Sequence, residues 1–194
     1  MSLKKLFCAA TLSLVAVTSA QAQDDAGLYA PAPDPNASYV RVVTDTEIGP
    51  YQMYMDASAA VSVGEVNMTV NLEPGDYKTV ALTASGEAMI ADDILTFSPS
   101  KADLAFYNLS DQSGVDLFVP AAQANALAGI AAGTYAAQTL NAPLTLDFEV
   151  RAGGAVLGVA AGVQLRRGEG VVIVLTGSGG NYSVIASGNT YNLN

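Results

Sequence analysis

Leu144-Thr145-Leu146-Asp147-Phe148-Glu149-Val150 alternates apolar and polar side chains at every step. A period of two belongs to a β-strand with one face buried and the other in water. Working outward, the same signature recurs. Met68-Thr69-Val70-Asn71-Leu72 alternates likewise, while Val171-Val172-Ile173-Val174-Leu175 is continuously apolar and is closed by Thr176-Gly177-Ser178-Gly179-Gly180. An unbroken apolar run ended by a glycine turn suits a strand covered on both faces. Further β-type runs fall at 39–44, 77–82, 94–97, 104–107, 115–119 and 182–186, with Gly, Pro, Asn or Asp in nearly every gap. Many short strands at this spacing predict an all-β sandwich or barrel rather than βαβ units. The alanine-rich stretch 121–133 has two readings, a short helix or a loose loop, and Gly129 and Gly133 argue against a long helix.

The chain also repeats a pattern. Tyr39-Val40-Arg41-Val42-Val43-Thr44-Asp45-Thr46, a strand running into a polar turn, has a counterpart in Leu104-Ala105-Phe106-Tyr107-Asn108-Leu109-Ser110. Pro74-Gly75-Asp76-Tyr77 matches Ala132-Gly133-Thr134-Tyr135, a glycine turn before a strand-opening tyrosine. Any all-β chain repeats strand and turn to some degree, but the spacing favours two tandem small β-sandwich domains, each of ordinary domain size. Ser98-Pro99-Ser100-Lys101 is the linker candidate, which gives an N-terminal domain over 23–99 and a C-terminal domain over 100–194.

Residues 1–22 have the form of a cleaved signal peptide. Lys4 and Lys5 precede an apolar stretch over 6–19, too short for a permanent membrane span, and Ala20-Gln21-Ala22 supplies a small-x-small site with cleavage expected after Ala22. The single cysteine, Cys8, leaves with that segment, so the mature chain has no disulfide, thiolate or cysteine metal site. The full chain carries 8 basic and 18 acidic residues; without Lys4 and Lys5 these become 6 and 18, a net charge of −12. Such a surface repels polyanions, which argues against nucleic acid as a partner and against broad capture of an acidic polysaccharide.

The chemistry is bounded by what is missing. Histidine is absent from the sequence, which removes a Ser-His-Asp triad, a histidine base and histidine-ligated metals. Gly177-Ser178-Gly179 lacks the two-residue glycine spacing of a nucleophile elbow and reads as a hairpin turn. Asp24-Asp25, Asp45 with Glu47, and Asp92-Asp93 offer oxygen ligands without the spacing of a calcium loop. No cofactor is expected. Tyr51 and Tyr54 could stack on a sugar ring or simply pack a strand. Arg166-Arg167, before Gly168, is the densest positive patch of the mature chain and a candidate contact for an acidic partner.

Leu28-Tyr29-Ala30-Pro31, Tyr39-Val40-Arg41-Val42, Tyr107-Asn108-Leu109-Ser110 and, most specifically, Leu165-Arg166-Arg167-Gly168-Glu169-Gly170-Val171-Val172 running into Leu175-Thr176-Gly177-Ser178-Gly179-Gly180 resemble the AlgF family of alginate biosynthesis proteins. The 121–133 stretch is less charged than the family's counterpart. The resemblance implies a periplasmic, non-catalytic adaptor of alginate O-acetylation with two β-sandwich domains. Its implied partners are periplasmic and membrane-associated polysaccharide acetyltransferases. Arg166, Arg167, Thr176, Gly177, Ser178, Gly179 and Gly180 are the candidate partner contacts. The alternative is a carbohydrate-binding sandwich that holds the acidic polymer for acetylation. Arg41, Arg151, Arg166 and Arg167 discriminate: convergence in a tyrosine-lined groove favours polymer binding, and scattering favours the adaptor.

Overall fold

The computed structural model describes residues 33–192. The expected signal segment, its cleavage site at Ala22, and Asp24-Asp25 lie outside the described residues. Fifteen strands follow in order: β1 Ser38–Val43, β2 Tyr51–Tyr54, β3 Ser58–Val63, β4 Val66–Asn71, β5 Tyr77–Leu82, β6 Ala88–Asp92, β7 Lys101–Asn108, β8 Val115–Val119, β9 Ala124–Ile130, β10 Thr134–Asn141, β11 Leu144–Ala152, β12 Ala155–Leu165, β13 Gly170–Ser178, β14 Asn181–Gly188 and β15 Tyr191–Asn192. The chain is all-β, as its periodicity predicts.

Four sheets stack in layers. A two-stranded ribbon, β3-β4, covers one face of a five-stranded sheet ordered β15-β2-β1-β5-β6. Val61, Val63 and Val70 of the ribbon meet Val40 and Val80 of that sheet. A four-stranded sheet, β10-β7-β13-β14, packs in turn against a second, β12-β11-β8-β9, and encloses the largest core, with Leu104, Phe106, Ile173 and Leu175 against Leu117, Phe148 and Val150. The two middle sheets also pack on each other, joining Val43, Ala81 and Met89 to Tyr107, Val172 and Val174. Alternation explains each face: on β13, Val171, Ile173 and Leu175 point one way and Val172 and Val174 the other. Hence its continuous apolar run.

The middle sheets share a topology. β1 pairs antiparallel with β2 and parallel with β5, which pairs antiparallel with β6. β7 pairs antiparallel with β10 and parallel with β13, which pairs antiparallel with β14. The match of 39–44 to 104–108 therefore joins equivalent central strands. The match of Gly75 to Gly133 does not, because one precedes the parallel neighbour and the other the antiparallel neighbour. The 98–100 turn separates β6 from β7, and the chain returns across that point at its end, where β15 runs parallel to β2 in the first sheet.

Two local expectations change. The 121–133 stretch is neither helix nor loop: after a 3-10 turn at Pro120–Ala122 it forms β9, hydrogen-bonded along β8. A bulge there turns the Gly129 N–H toward Asp116, whose Oδ1 accepts it at 2.8 Å, and small side chains fit beside that bulge. The run at 94–97 is not a strand; its Ile94 is 68% exposed, while the pairing strand is β6, with Met89 and Ala91 buried.

Candidate functional site

A charged residue in the middle of an apolar strand organises the densest polar cluster. Arg41 lies on β1 on the same face as Tyr39 and Val43, turned toward the second half of the chain, and is 2% exposed. Its Nε donates to Thr79 Oγ1 at 2.7 Å and its Nη1 to Asn189 Oδ1 at 2.8 Å. Nη2 donates to the Tyr107 hydroxyl at 3.0 Å and meets Asp93 Oδ2 at 3.4 Å. Asp93 in turn accepts from the Tyr51 hydroxyl at 2.6 Å, from Thr79 Oγ1 at 2.5 Å and from Tyr107. The guanidinium also lies 4.4 Å from the centroid of the Tyr51 ring, a cation–π contact. Thr79 and Tyr51 come from the first sheet, Tyr107 from β7 and Asn189 from the β14–β15 link. The cluster thus ties the two halves together.

Burial alone would lower the Arg41 guanidinium, but Tyr107, Tyr51 and Asp93 hold it above its ordinary value. Burial pushes the Tyr51 and Tyr107 hydroxyls well above their ordinary value, with Arg41 opposing and the Asp93 charge adding to the rise. Beyond the cluster the rings continue: Tyr39 stacks on Tyr77 with centroids 4.8 Å apart, and Tyr51 on Tyr191 at 5.5 Å. Tyr191 is raised to about 12, chiefly by burial. Among the described residues no buried side-chain nitrogen or oxygen lacks a hydrogen-bond partner. A centre so closed presents no group to a substrate; its chemistry is cohesion.

The residues singled out in the sequence are dispersed. Arg166 and Arg167 are exposed at the β12–β13 turn, donating to Gln164 Oε1 at 3.0 Å and to the Ala142 carbonyl at 3.0 Å. At the other end of β13, about 25–30 Å away at ordinary strand rise, the expected turn is shorter than the sequence suggests: Thr176, Gly177 and Ser178 still pair with β14, with Thr176 buried, and only Gly179 and Gly180 form the turn. The arginine pair and the glycine turn are therefore two surfaces, not one. Asp111 pins the turn: its Oδ2 accepts the Gly179 N–H at 2.9 Å and its Oδ1 the Tyr182 hydroxyl at 2.8 Å. Those bonds, the Gly179 one foremost, hold its carboxyl below the usual range. Arg151 pairs with Glu149 at 2.5 Å and lies 3.5 Å over the Phe118 ring, on the outer sheet.

Arg41, Arg151 and the Arg166-Arg167 pair thus occupy three separate places, and only the buried Arg41 has tyrosines around it. Asp92 is exposed and paired with Lys78, whereas Asp93 is internal, so these neighbours do not act together. Among the described residues no three acidic side chains gather as a metal site would require. Arg41 and Asp93 were visible as a lone arginine inside an apolar strand and one member of an acid pair. Only folding joins them.

Fold and cluster define a class: a stacked β-sandwich protein whose polar centre is buried and internally satisfied. No protein-family profile matches the chain. Alginate biosynthesis protein AlgF of Pseudomonas putida is 27% identical over 201 residues, spanning 94% of this chain and 92% of its own. AlgF of Pseudomonas fluorescens is 23% identical over 201 residues, spanning 94% of this chain and 91% of its own. The chain is thus similar to two AlgF proteins along nearly its whole length. Among solved structures, the C-terminal domain of AlgF from P. aeruginosa aligns with 46% of this chain and 99% of its own at 23% identity, with a TM-score of 0.41.

Proposed function

We propose that the protein acts in alginate biosynthesis as a periplasmic, non-catalytic adaptor of polymer O-acetylation, working through contacts with acetyltransferase components. The observation that carries this reading is the dispersal of its cations. Arg41 is sealed in the cluster, Arg151 is paired on one face, and Arg166-Arg167 stand at a turn. A groove for a polyuronate needs converging positive charge and exposed rings, and these arginines do not converge. Acyl transfer needs a base to activate the sugar hydroxyl; histidine is absent from the sequence, and the lone cysteine falls in the expected signal segment.

Deletion of the gene in an alginate-secreting host is expected to leave polymer yield intact and to remove its acetyl esters, with restoration by the wild-type chain. Purified protein is expected to leave p-nitrophenyl acetate unhydrolysed. Loss of polymer with acetyl content per residue unchanged, or esterase turnover abolished by Ser178→Ala, refutes the reading.

A further inference from the structure

A groove of about 410 Å³ opens between the two halves at one end of the middle sheets. Its floor is apolar, with Val63 and Leu109 buried and Leu82 half-buried; Thr176 and Ser178 at the end of β13 line one wall and Asp45 of the β1–β2 loop stands at its rim. The walls are fixed. The Ala84 N–H donates to the Leu109 carbonyl at 2.7 Å, bridging the halves beneath it. Asp111 holds the turn from below, and Gly177, at φ 103°, packs so tightly that a Cβ there would meet the Asn181 carbonyl at 2.0 Å.

Charge around the groove has one sign. The connecting segments at this end carry Asp45, Glu47, Glu65, Glu87 and Asp111. Every cation of the described residues lies elsewhere. Lys78, Lys101 and the Arg166-Arg167 pair are at the far ends of β5, β7 and β13, Arg41 is buried, and Arg151 is on the outer sheet. An apolar floor with Asp45 at its lip and further carboxylates on the neighbouring loops complements a ligand that is apolar at its centre and basic at its edges. It repels a polyuronate.

We propose that this groove docks a protruding segment of a partner protein that presents a bulky apolar side chain flanked by lysine or arginine. The inference rests on the adaptor reading and names its contact surface. The test uses the full mature protein, followed by backbone amide shifts, against two synthetic peptides of one leucine-containing sequence. One is flanked by lysines and its twin by glutamates; alginate oligomers are the third probe. The lysine peptide is expected to shift Val63, Leu82, Leu109 and Ser178 and to bind at least about tenfold more tightly than its twin at low salt. Asp45→Lys with Ser178→Arg, both at exposed positions, should abolish that binding while leaving the thermal transition in place. Equal affinity for the twins, shifts confined to other surfaces, or shifts of these same four residues on titration with alginate alone overturns the proposal. Co-purification with tagged acetyltransferase components separates the two readings. If wild type and double variant are both retained, the adaptor stands and the groove is excluded. If wild type is not retained, the adaptor fails while the titration still decides the groove.

Discussion

Replacing Arg41 by methionine is expected to lower the unfolding free energy by about 3–5 kcal/mol, the cost of breaking a buried ion pair from one side. The size follows from what remains. Asp93 keeps three hydroxyl donors but loses its counter-charge in a site where both side chains are 2% exposed. Asn189 Oδ1 loses the donor that reaches it, and Thr79 Oγ1 keeps only the Tyr107 hydroxyl. Apolar replacement of both Arg41 and Asp93 does not rescue the site, since the hydroxyls of Tyr51 and Thr79 then lose their acceptor and Tyr107 is left with Thr79 alone. The assay is urea unfolding followed by circular dichroism, as a double-mutant cycle of Arg41→Met with Asp93→Asn. Contacting residues of one network should show a coupling of about 1–3 kcal/mol, with the denaturant slope unchanged in each variant. Arg41→Met costing less than about 1 kcal/mol, with additivity within about 0.5 kcal/mol, is the behaviour of an exposed pair and refutes the reasoning.

Gly177→Ala forces a side chain into a left-handed backbone against the Asn181 carbonyl and is expected to cost about 1–3 kcal/mol, whereas Gly179→Ala, with open space around its Cβ, should cost less; equal urea midpoints refute this. Tyr51, Tyr77, Tyr107 and Tyr191 have raised folded-state values, so their contribution is complete below the unfolded value near 10 and is lost as pH rises toward the folded ones. Their ultraviolet ionisation should accordingly coincide with alkaline unfolding, and smooth titration near pH 10 with the fold intact refutes it. Asp111, held low, keeps the glycine turn in place at neutral pH and releases it as acid passes its folded value. The Gly179 amide shift should move with a midpoint below about 3.9, and a midpoint at or above that value refutes it. Residues 100–194 expressed alone should unfold cooperatively, since the largest core draws only on that half; residues 33–99, deprived of β15, Tyr107 and Asn189, should be weaker. A disordered 100–194 fragment refutes this partition.

Local periodicity carried most of the fold. β11 and β13 were readable because Leu146, Phe148 and Val150 on one, and the unbroken Val171–Leu175 run on the other, put large apolar groups at the spacing the sheet needs. β3, β9 and β12 were not, because Ser58-Ala59-Ala60, Ala126 and Gly158-Val159-Ala160-Ala161 carry little contrast between faces even where Ala59 and Ala160 are buried. The run at 94–97 misleads for the opposite reason: Ile94 and Phe97 are large and apolar yet exposed. The polar cluster was beyond any window, since Arg41, Thr79, Asp93, Tyr107 and Asn189 meet only after three sheet registers are set. Asp111 was equally hidden, because its partners at Gly179 and Tyr182 lie far along the chain.

The cluster bears on how an adaptor of this build would work. Two sandwiches meeting only through apolar contacts could slide, because such contacts have little directional preference. Arg41 removes that freedom: its planar fork is satisfied only when Thr79 and Asp93 of the first half and Tyr107 and Asn189 of the second are all in register. β15 adds a backbone tie on the same side through Tyr191 and Tyr51. β13 itself holds the arginine turn and the glycine turn about 25–30 Å apart, and with the halves locked the first-half wall of the groove keeps its place beside the glycine turn. Surfaces of opposite charge held at fixed spacing select partners of opposite character. Loosening the lock through Tyr107→Phe, which replaces no residue of either surface, should therefore lower polymer acetylation more than it lowers the binding of the lysine-flanked peptide. Equal loss of both would mean that the ring serves the groove alone and that orientation plays no part.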